Sequence, residues 1–194
     1  KAPKGGGFPE GVEASDEEAK KILDGLKATA ALKDEPKMVE AVTPMVTKRH
    51  KDFVPELRKL LADRRDRVSA EAAKALGSQG DKAVASLLLK LVAAETKTRE
   101  GYMSNPDTKA AAVEALGRLG EAKALVPVRE LAAKMRVNPE VKAGYAKRIV
   151  RACVRAFGLL KDKESVSYLI DEVEQPVPKH PNSSTNPGAD YWKA

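Results

Sequence analysis

Cysteine is nearly missing: the 194 residues contain one, with two His, three Phe, four Tyr and one Trp. A single cysteine excludes an internal disulfide, so no framework of bridges staples the fold. Without spaced cysteine pairs, and with only two histidines, a structural zinc site of the usual kind is excluded as well. No apolar run approaches the roughly 20 residues that span a bilayer, which removes a transmembrane helix. No stretch shows the period-two alternation of β-branched residues expected of a strand. What is abundant is Ala, Leu and Lys. The chain is 42% hydrophobic, enough to build a core, and 32% charged. Its length corresponds to one domain with tails.

Charge is unevenly placed. Residues 36–98 carry a net +5 and residues 99–160 a net +6, whereas residues 1–35 and 161–194 each carry a net −2. A basic middle between mildly acidic ends points to an anionic partner. Lys-rich helices also acquire such charge simply because lysine is soluble and a good helix former.

Both ends read as extended. Residues 1–14 form a lead-in with Gly5-Gly6-Gly7, Pro3 and Pro9. Residues 175–194 form a tail with Pro176, Pro178, Pro181, Pro187 and the polar run 182–186. Between them, 15–174, the pattern is helical. Ser15 with Glu18 makes a capping box, and Asp16, Glu17 and Glu18 suit the positive end of a helix. Ala19, Ile22, Leu23, Leu26 and Ala30 then mark one buried face. Breaks at Pro36, Asp63, Gly77–Gly80, Asn105-Pro106, Gly117–Gly120, Asn138-Pro139 and Lys161-Asp162 divide the rest. The predicted pairs are 16–31 with 36–50, 52–62 with 66–78, 81–97 with 107–118, and 121–136 with 139–159. A single helix over 162–174 caps the stack, and Pro44 kinks the second helix.

Ala75-Leu76-Gly77 recurs as Ala115-Leu116-Gly117 and as Ala156-Phe157-Gly158, at spacings of 40 and 41 residues. Each copy is followed by a short polar turn and a second helix with a Val near its start. A helix pair repeated at that period indicates an α-solenoid, because one pair cannot bury its apolar face alone. At these residues the chain resembles HEAT repeats, in particular the short bacterial type related to phycobilin-lyase HEAT-like repeats. The segment Asp66–Asp81 is close to that consensus of a Val-led, Ala-rich helix ending in Ala-Leu-Gly; Thr108–Gly120 is a second match and Ile149–Leu160 a third. The resemblance covers roughly 36–174 and implies an all-α solenoid of about four helix pairs plus a capping helix. Ser69, Lys109 and Val150 replace the family's Arg after the leading Val.

The resemblance further implies that the second helix of each pair lines a concave surface. By helical register, its solvent-facing positions are Arg67, Glu71 and Lys74, then Asp107, Lys109 and Glu114, then Arg148, Arg151 and Arg155. The last three fall on one side of a helix at i, i+3, i+7 and form a stripe suited to carboxylates or phosphates. Tyr145, Ile149, Ala152, Cys153 and Ala156 take the opposite, buried side. Asp107 and Glu114 interrupt any continuous phosphate track, and Phe53, Tyr145, Phe157 and Tyr168 fall at apolar helix positions rather than where bases would stack. The segment 98–107 is longer than a repeat turn requires, and is either a binding loop or an insertion.

Nothing in the sequence assembles a catalytic, cofactor or metal site. His50 and His180 lack neighbouring Glu, and His50 is expected to meet the carbonyls at a helix end. Cys153 lies between apolar residues as an inert thiol. Gly5-Gly6-Gly7 has neither a preceding strand nor a following Lys-Ser/Thr, so it is no phosphate loop. The expected function is a non-catalytic scaffold for a protein or peptide with acidic groups. The alternative is a nucleic-acid module using Arg64, Arg65, Arg67, Lys147, Arg148, Arg151 and Arg155. The first residue, Lys1, the Gly/Pro lead-in and the scarcity of cysteine fit an exported bacterial protein, with the cytoplasm as the other compartment.

Overall fold

The computed structural model describes residues 11–30, 34–94, 106–137 and 143–165, and chain contacts define one compact unit up to Asp162. Helix α1 (Asp16–Ala30) opens with the Ser15 hydroxyl accepting the Glu18 N–H at 3.2 Å, as the capping box requires. It buries Ala19 and Leu26; Ile22 and Leu23 are half-buried, and Ala30 is exposed rather than part of the buried face. Helix α2 (Glu35–Val42) is capped by Asp34, whose carboxylate accepts the Lys37 N–H at 3.2 Å.

Pro44 does more than kink the next stretch. It has no N–H to return to the preceding turn, and the predicted helix 36–50 divides into α2 and a single-turn α3 (Pro44–Thr47). The chain then straightens into β2 (Lys48–Arg49), which pairs in parallel with β1 (Val12–Glu13), Val12 opposite Lys48 and Glu13 opposite Arg49. This minimal pair corrects the expectation of no strand. Two residues are too few for alternation to register in a sequence.

The remaining elements follow the predicted pairing. They are α4 (Phe53–Leu60), α5 (Asp66–Gln79), α6 (Ala85–Ala93), α7 (Pro106–Arg118), α8 (Leu125–Val137) and α9 (Ala143–Leu160). One-turn 3-10 segments, Lys82–Val84 and Ala122–Ala124, lead into α6 and α8. Helix α7 packs along α5 on one side and α9 on the other; α6 and α8 back this layer, and α2, α3 and α4 pack on α5. The capping helix predicted at 162–174 and the segment 98–107 lie largely outside the described residues.

The recurring tripeptide explains the layer spacing. A Cβ built on Gly77 would lie 2.6 Å from Ala115 Cα, and one on Gly117 would lie 2.9 Å from Ala156 Cα. The glycines of the first two copies therefore receive the alanine of the next, and the backbones approach too closely for a methyl group between them. Leu76, Leu116 and Phe157, the middle residues of the three copies, are all fully buried. Three equivalent helix ends then turn through left-handed backbone: Gly80 at φ 75°, Gly120 at φ 64° and Lys161 at φ 53°. After α7 and α9 the six-residue closing bond is present, from Glu121 N–H to Leu116 C=O at 3.3 Å and from Asp162 N–H to Phe157 C=O at 3.1 Å.

Candidate interaction surface

Counting back from the repeat glycines places Arg67, Asp107 and Arg148 at one equivalent position, and Lys74, Glu114 and Arg155 at another. The sign of charge alternates from layer to layer at both. Because α5, α7 and α9 lie side by side, opposite charges at equal heights meet across the layers. Arg148 donates to the Asp107 carboxylate, and Arg155 Nη1 donates to Glu114 Oε1 at 2.7 Å. Within α5, Lys74 Nζ donates to Glu71 Oε2 at 2.9 Å. The arginine side chains keep 53% and 57% of their surface exposed at positions 148 and 155, so the arginines sit at the rim of solvent, while Asp107 and Glu114 lie deeper at 35% and 15%.

Arg151 is exposed on α9 beside them, and Arg67 is exposed at the start of α5, its backbone N–H donating to Glu35 Oε1 at 3.2 Å. Lys109 does not belong to this surface. Only 6% of it is accessible, and its ammonium donates to the Ala94 carbonyl at the end of α6. The expectation that it faces solvent is corrected: its long aliphatic stem runs inward and the charge closes a helix terminus.

Arg118, at the end of α7, is a member that sequence reasoning missed. It donates to Ser78 Oγ at 3.0 Å. Burial pushes its guanidinium pKa down, opposed by the nearby Glu114 and Glu71 carboxylates, although an arginine stays protonated throughout the working range. Glu71, Arg118, Glu114 and Arg155 thus form a mixed-sign network across all three helices. Beneath its N-terminal end, Ser69 Oγ and Thr108 Oγ1 are 2.5 Å apart, and both contact the Asp66 carbonyl. These hydroxyls join α5 to α7 at the position where the resemblance had implied an arginine in α5.

The other basic candidates are dispersed. Arg65 is committed to Asp63 by two bonds of 2.9 and 2.6 Å, and this hydrogen bonding holds the Asp63 carboxyl below its ordinary range. Arg64 and Lys147 are exposed.

A second surface feature lies at the C-terminus of α5: an open depression of about 520 Å³ among residues including Arg49, His50, Lys51, Arg58, Gln79 and Asp81. His50 is buried there and does not cap a helix end as expected. Its Nε2 lies 2.9 Å from Asp16 Oδ1, and its Nδ1 accepts the Asp52 N–H at 3.3 Å. The bond from His50 holds the Asp16 carboxyl below its ordinary value. Gln79 fastens the strand pair: its amide donates to the Met45 and Lys48 carbonyls at 2.8 and 3.0 Å, and its oxygen accepts the His50 N–H at 3.0 Å. Among the described residues no group of three or more His, Cys, Asp or Glu is placed to hold a metal ion. Cys153 is buried, and desolvation pushes its thiol up to about 12, far from a reactive thiolate.

Residues 24–100 match a family model described as HEAT repeats. These residues are HEAT repeats. The match takes in the second half of α1 and all of α2 to α6, and α7 and α9 carry the same Ala-Leu-Gly or Ala-Phe-Gly device beyond it, so the HEAT-like layer continues to Leu160. No curated protein and no solved structure matches the chain. HEAT repeats commonly serve as protein-interaction scaffolds and are generally non-catalytic. No helix among the described residues is long and apolar enough to cross a membrane.

Proposed function

We propose that this HEAT-repeat chain is a non-catalytic scaffold that binds a protein or peptide carrying acidic groups. The surface used is the shared face of α5, α7 and α9. Arg67, Glu71, Lys74, Glu114, Arg148, Arg151 and Arg155 line that face, and Lys109 does not. The observation that carries this reading is the alternation of sign across the three layers. Exposed cations on α5 and α9 flank the acidic positions of α7. A mixed-sign face of this kind discriminates among protein surfaces by electrostatic complementarity. A nucleic-acid backbone requires an unbroken run of cations, and Asp107 and Glu114 stand in its path.

The experiment is the triple charge reversal R148E/R151E/R155E, probed with a labelled Glu-rich peptide and with a 20-base-pair duplex at several salt concentrations. The expected result is peptide binding by the parent protein that the reversal abolishes, with the helical circular-dichroism signal retained. Duplex binding with a slope near −0.9 per neutralised phosphate, and no peptide binding, would establish the nucleic-acid reading instead.

A further inference from the structure

Arg148 and Arg155, the two arginines best placed to take an acidic partner, already hold carboxylates of their own chain. We infer that Asp107 and Glu114 act as internal competitors for the partner, and that the partner's recognition element is a helical acidic segment with two carboxylates seven residues apart. This rests on the reading of the α5/α7/α9 face as the binding surface.

The spacing argument is geometrical. Arg67 and Lys74, Asp107 and Glu114, and Arg148 and Arg155 are each seven residues apart on parallel-stacked helices. Seven residues of helix rise about 10.5 Å in nearly two full turns, so each pair projects on one side of its helix. Helix α7 is therefore itself an example of the ligand: a helix offering two carboxylates in register with two arginines of its neighbour. A foreign helix with the same spacing presents the same two anions to the exposed flanks of Arg148 and Arg155. Arg151, one turn from each, is a third contact.

The energetics allow exchange. The arginines of both internal pairs are more than half exposed, whereas Asp107 keeps 35% and Glu114 15% of its side-chain surface; an ion pair open to water on the arginine side contributes little to stability, the Asp107 pair least. The internal carboxylates therefore occupy the arginines without locking them. Occupation still has a consequence: singly charged or poorly spaced anions do not displace a preorganised intramolecular pair, whereas a ligand that engages both arginines and Arg151 does. Asp107 and Glu114 set a threshold and so supply specificity.

The test measures binding of a labelled Ala-rich helical peptide with Glu at two positions seven apart, by fluorescence anisotropy, to the full chain and to D107N/E114Q. Asn and Gln keep shape and hydrogen-bonding capacity while removing charge. Removal of each competitor is expected to tighten binding by about two- to fivefold, the range that follows from the worth of an exposed ion pair. A peptide with its Glu residues five apart is expected to gain in affinity from D107N/E114Q but to bind less tightly than the seven-residue peptide to either protein. The variant E17Q/D24N makes the same change in net charge on exposed α1, away from this face, and controls for charge alone.

Equal tightening by E17Q/D24N, or no tightening by D107N/E114Q while R148E/R151E/R155E still abolishes binding, overturns the competitor and leaves the binding face standing. Equal affinity for the two Glu spacings overturns the seven-residue element. Loss of no affinity on arginine reversal overturns the face itself. Should D107N/E114Q lose its helical signal, D107N alone, at the half-buried second position of α7, carries the same measurement.

Discussion

Gly77 and Ala115 meet with no space for a methyl group between them: a Cβ on Gly77 would lie 2.6 Å from the Ala115 Cα and 2.7 Å from its Cβ. Both obstructing atoms belong to backbone or to a side chain with no rotamer, so neither can step aside. Gly77→Ala is therefore expected to force α5 and α7 apart and to cost about 1–3 kcal/mol, the range for overpacking a core. Gly25, exposed on α1, has no atom within 4 Å of its built Cβ. Gly25→Ala should instead stabilise by about 0.5–1 kcal/mol through helix propensity. Urea unfolding of the two variants checks the contrast, and equal effects would show that the close approach is not limiting.

The third helix end provides a stabilising change. Lys161 adopts φ 53° where the two earlier repeats have Gly80 and Gly120. A side chain in the left-handed region costs about 1 kcal/mol, so Lys161→Gly is expected to raise stability by roughly that amount, and Gly120→Ala to lower it similarly. Thermal melts that move in opposite directions confirm the equivalence of these turns.

Gln79 carries a disproportionate share of the junction between the strand pair and α5. Its amide and oxygen together serve the Met45 and Lys48 carbonyls and the His50 N–H. Gln79→Leu, the residue found at the equivalent positions 119 and 160, leaves those backbone groups without their partner. The expected loss is about 1–3 kcal/mol, the penalty for unsatisfied groups in a part-buried site. Hydrogen exchange at the His50 amide is the direct reading, and it should accelerate in the variant.

Cys153 reports on opening of the layer. Its folded pKa is raised to about 12 from 9.0, so folding favours the protonated thiol. This contribution to stability is fully present below pH 9.0 and is lost as pH rises from there through about 12. At pH 8 a thiol reagent should leave the native protein unmodified and label it quantitatively in denaturant. Fast labelling of the native chain would mean that α9 opens readily. Asp16 has the opposite sign: its depressed carboxyl contributes above its ordinary range, and that contribution fades as pH falls through the lowered value.

The helices were legible because period and punctuation agreed. Val68, Ala72, Ala75 and Leu76 define one buried face, and Gly80 ends it, so the prediction of 66–78 differs from α5 by a single residue. Ile149, Ala152, Cys153 and Ala156 are buried on α9 as register required, with Tyr145 only half-buried. The strand pair was not legible, because its order comes from Gln79 and Ser78, about thirty residues away, rather than from its own residues. Lys109 misled for a related reason: helical register gives a direction, but its acceptor, the Ala94 carbonyl, belongs to the preceding helix. The charges of the candidate surface could each be placed on a face. Their pairing across α7 and α9 required knowing that the two helices lie level.

The fit of glycine to alanine also bears on how such a chain can lengthen or shorten. Gly77 and Gly117 each present a hollow to the next layer, and Ala115 and Ala156 fill them, so the unit of α7 carries both halves of the junction. Copying or deleting one unit keeps the glycine-to-alanine fit but sets like charges side by side where Arg67, Asp107 and Arg148, or Lys74, Glu114 and Arg155, had alternated. Gln79 is the exception, since its partners exist only beside the first such helix. The junction before α5 is therefore specific to its own residues, whereas the glycine-to-alanine junctions after it share one geometry.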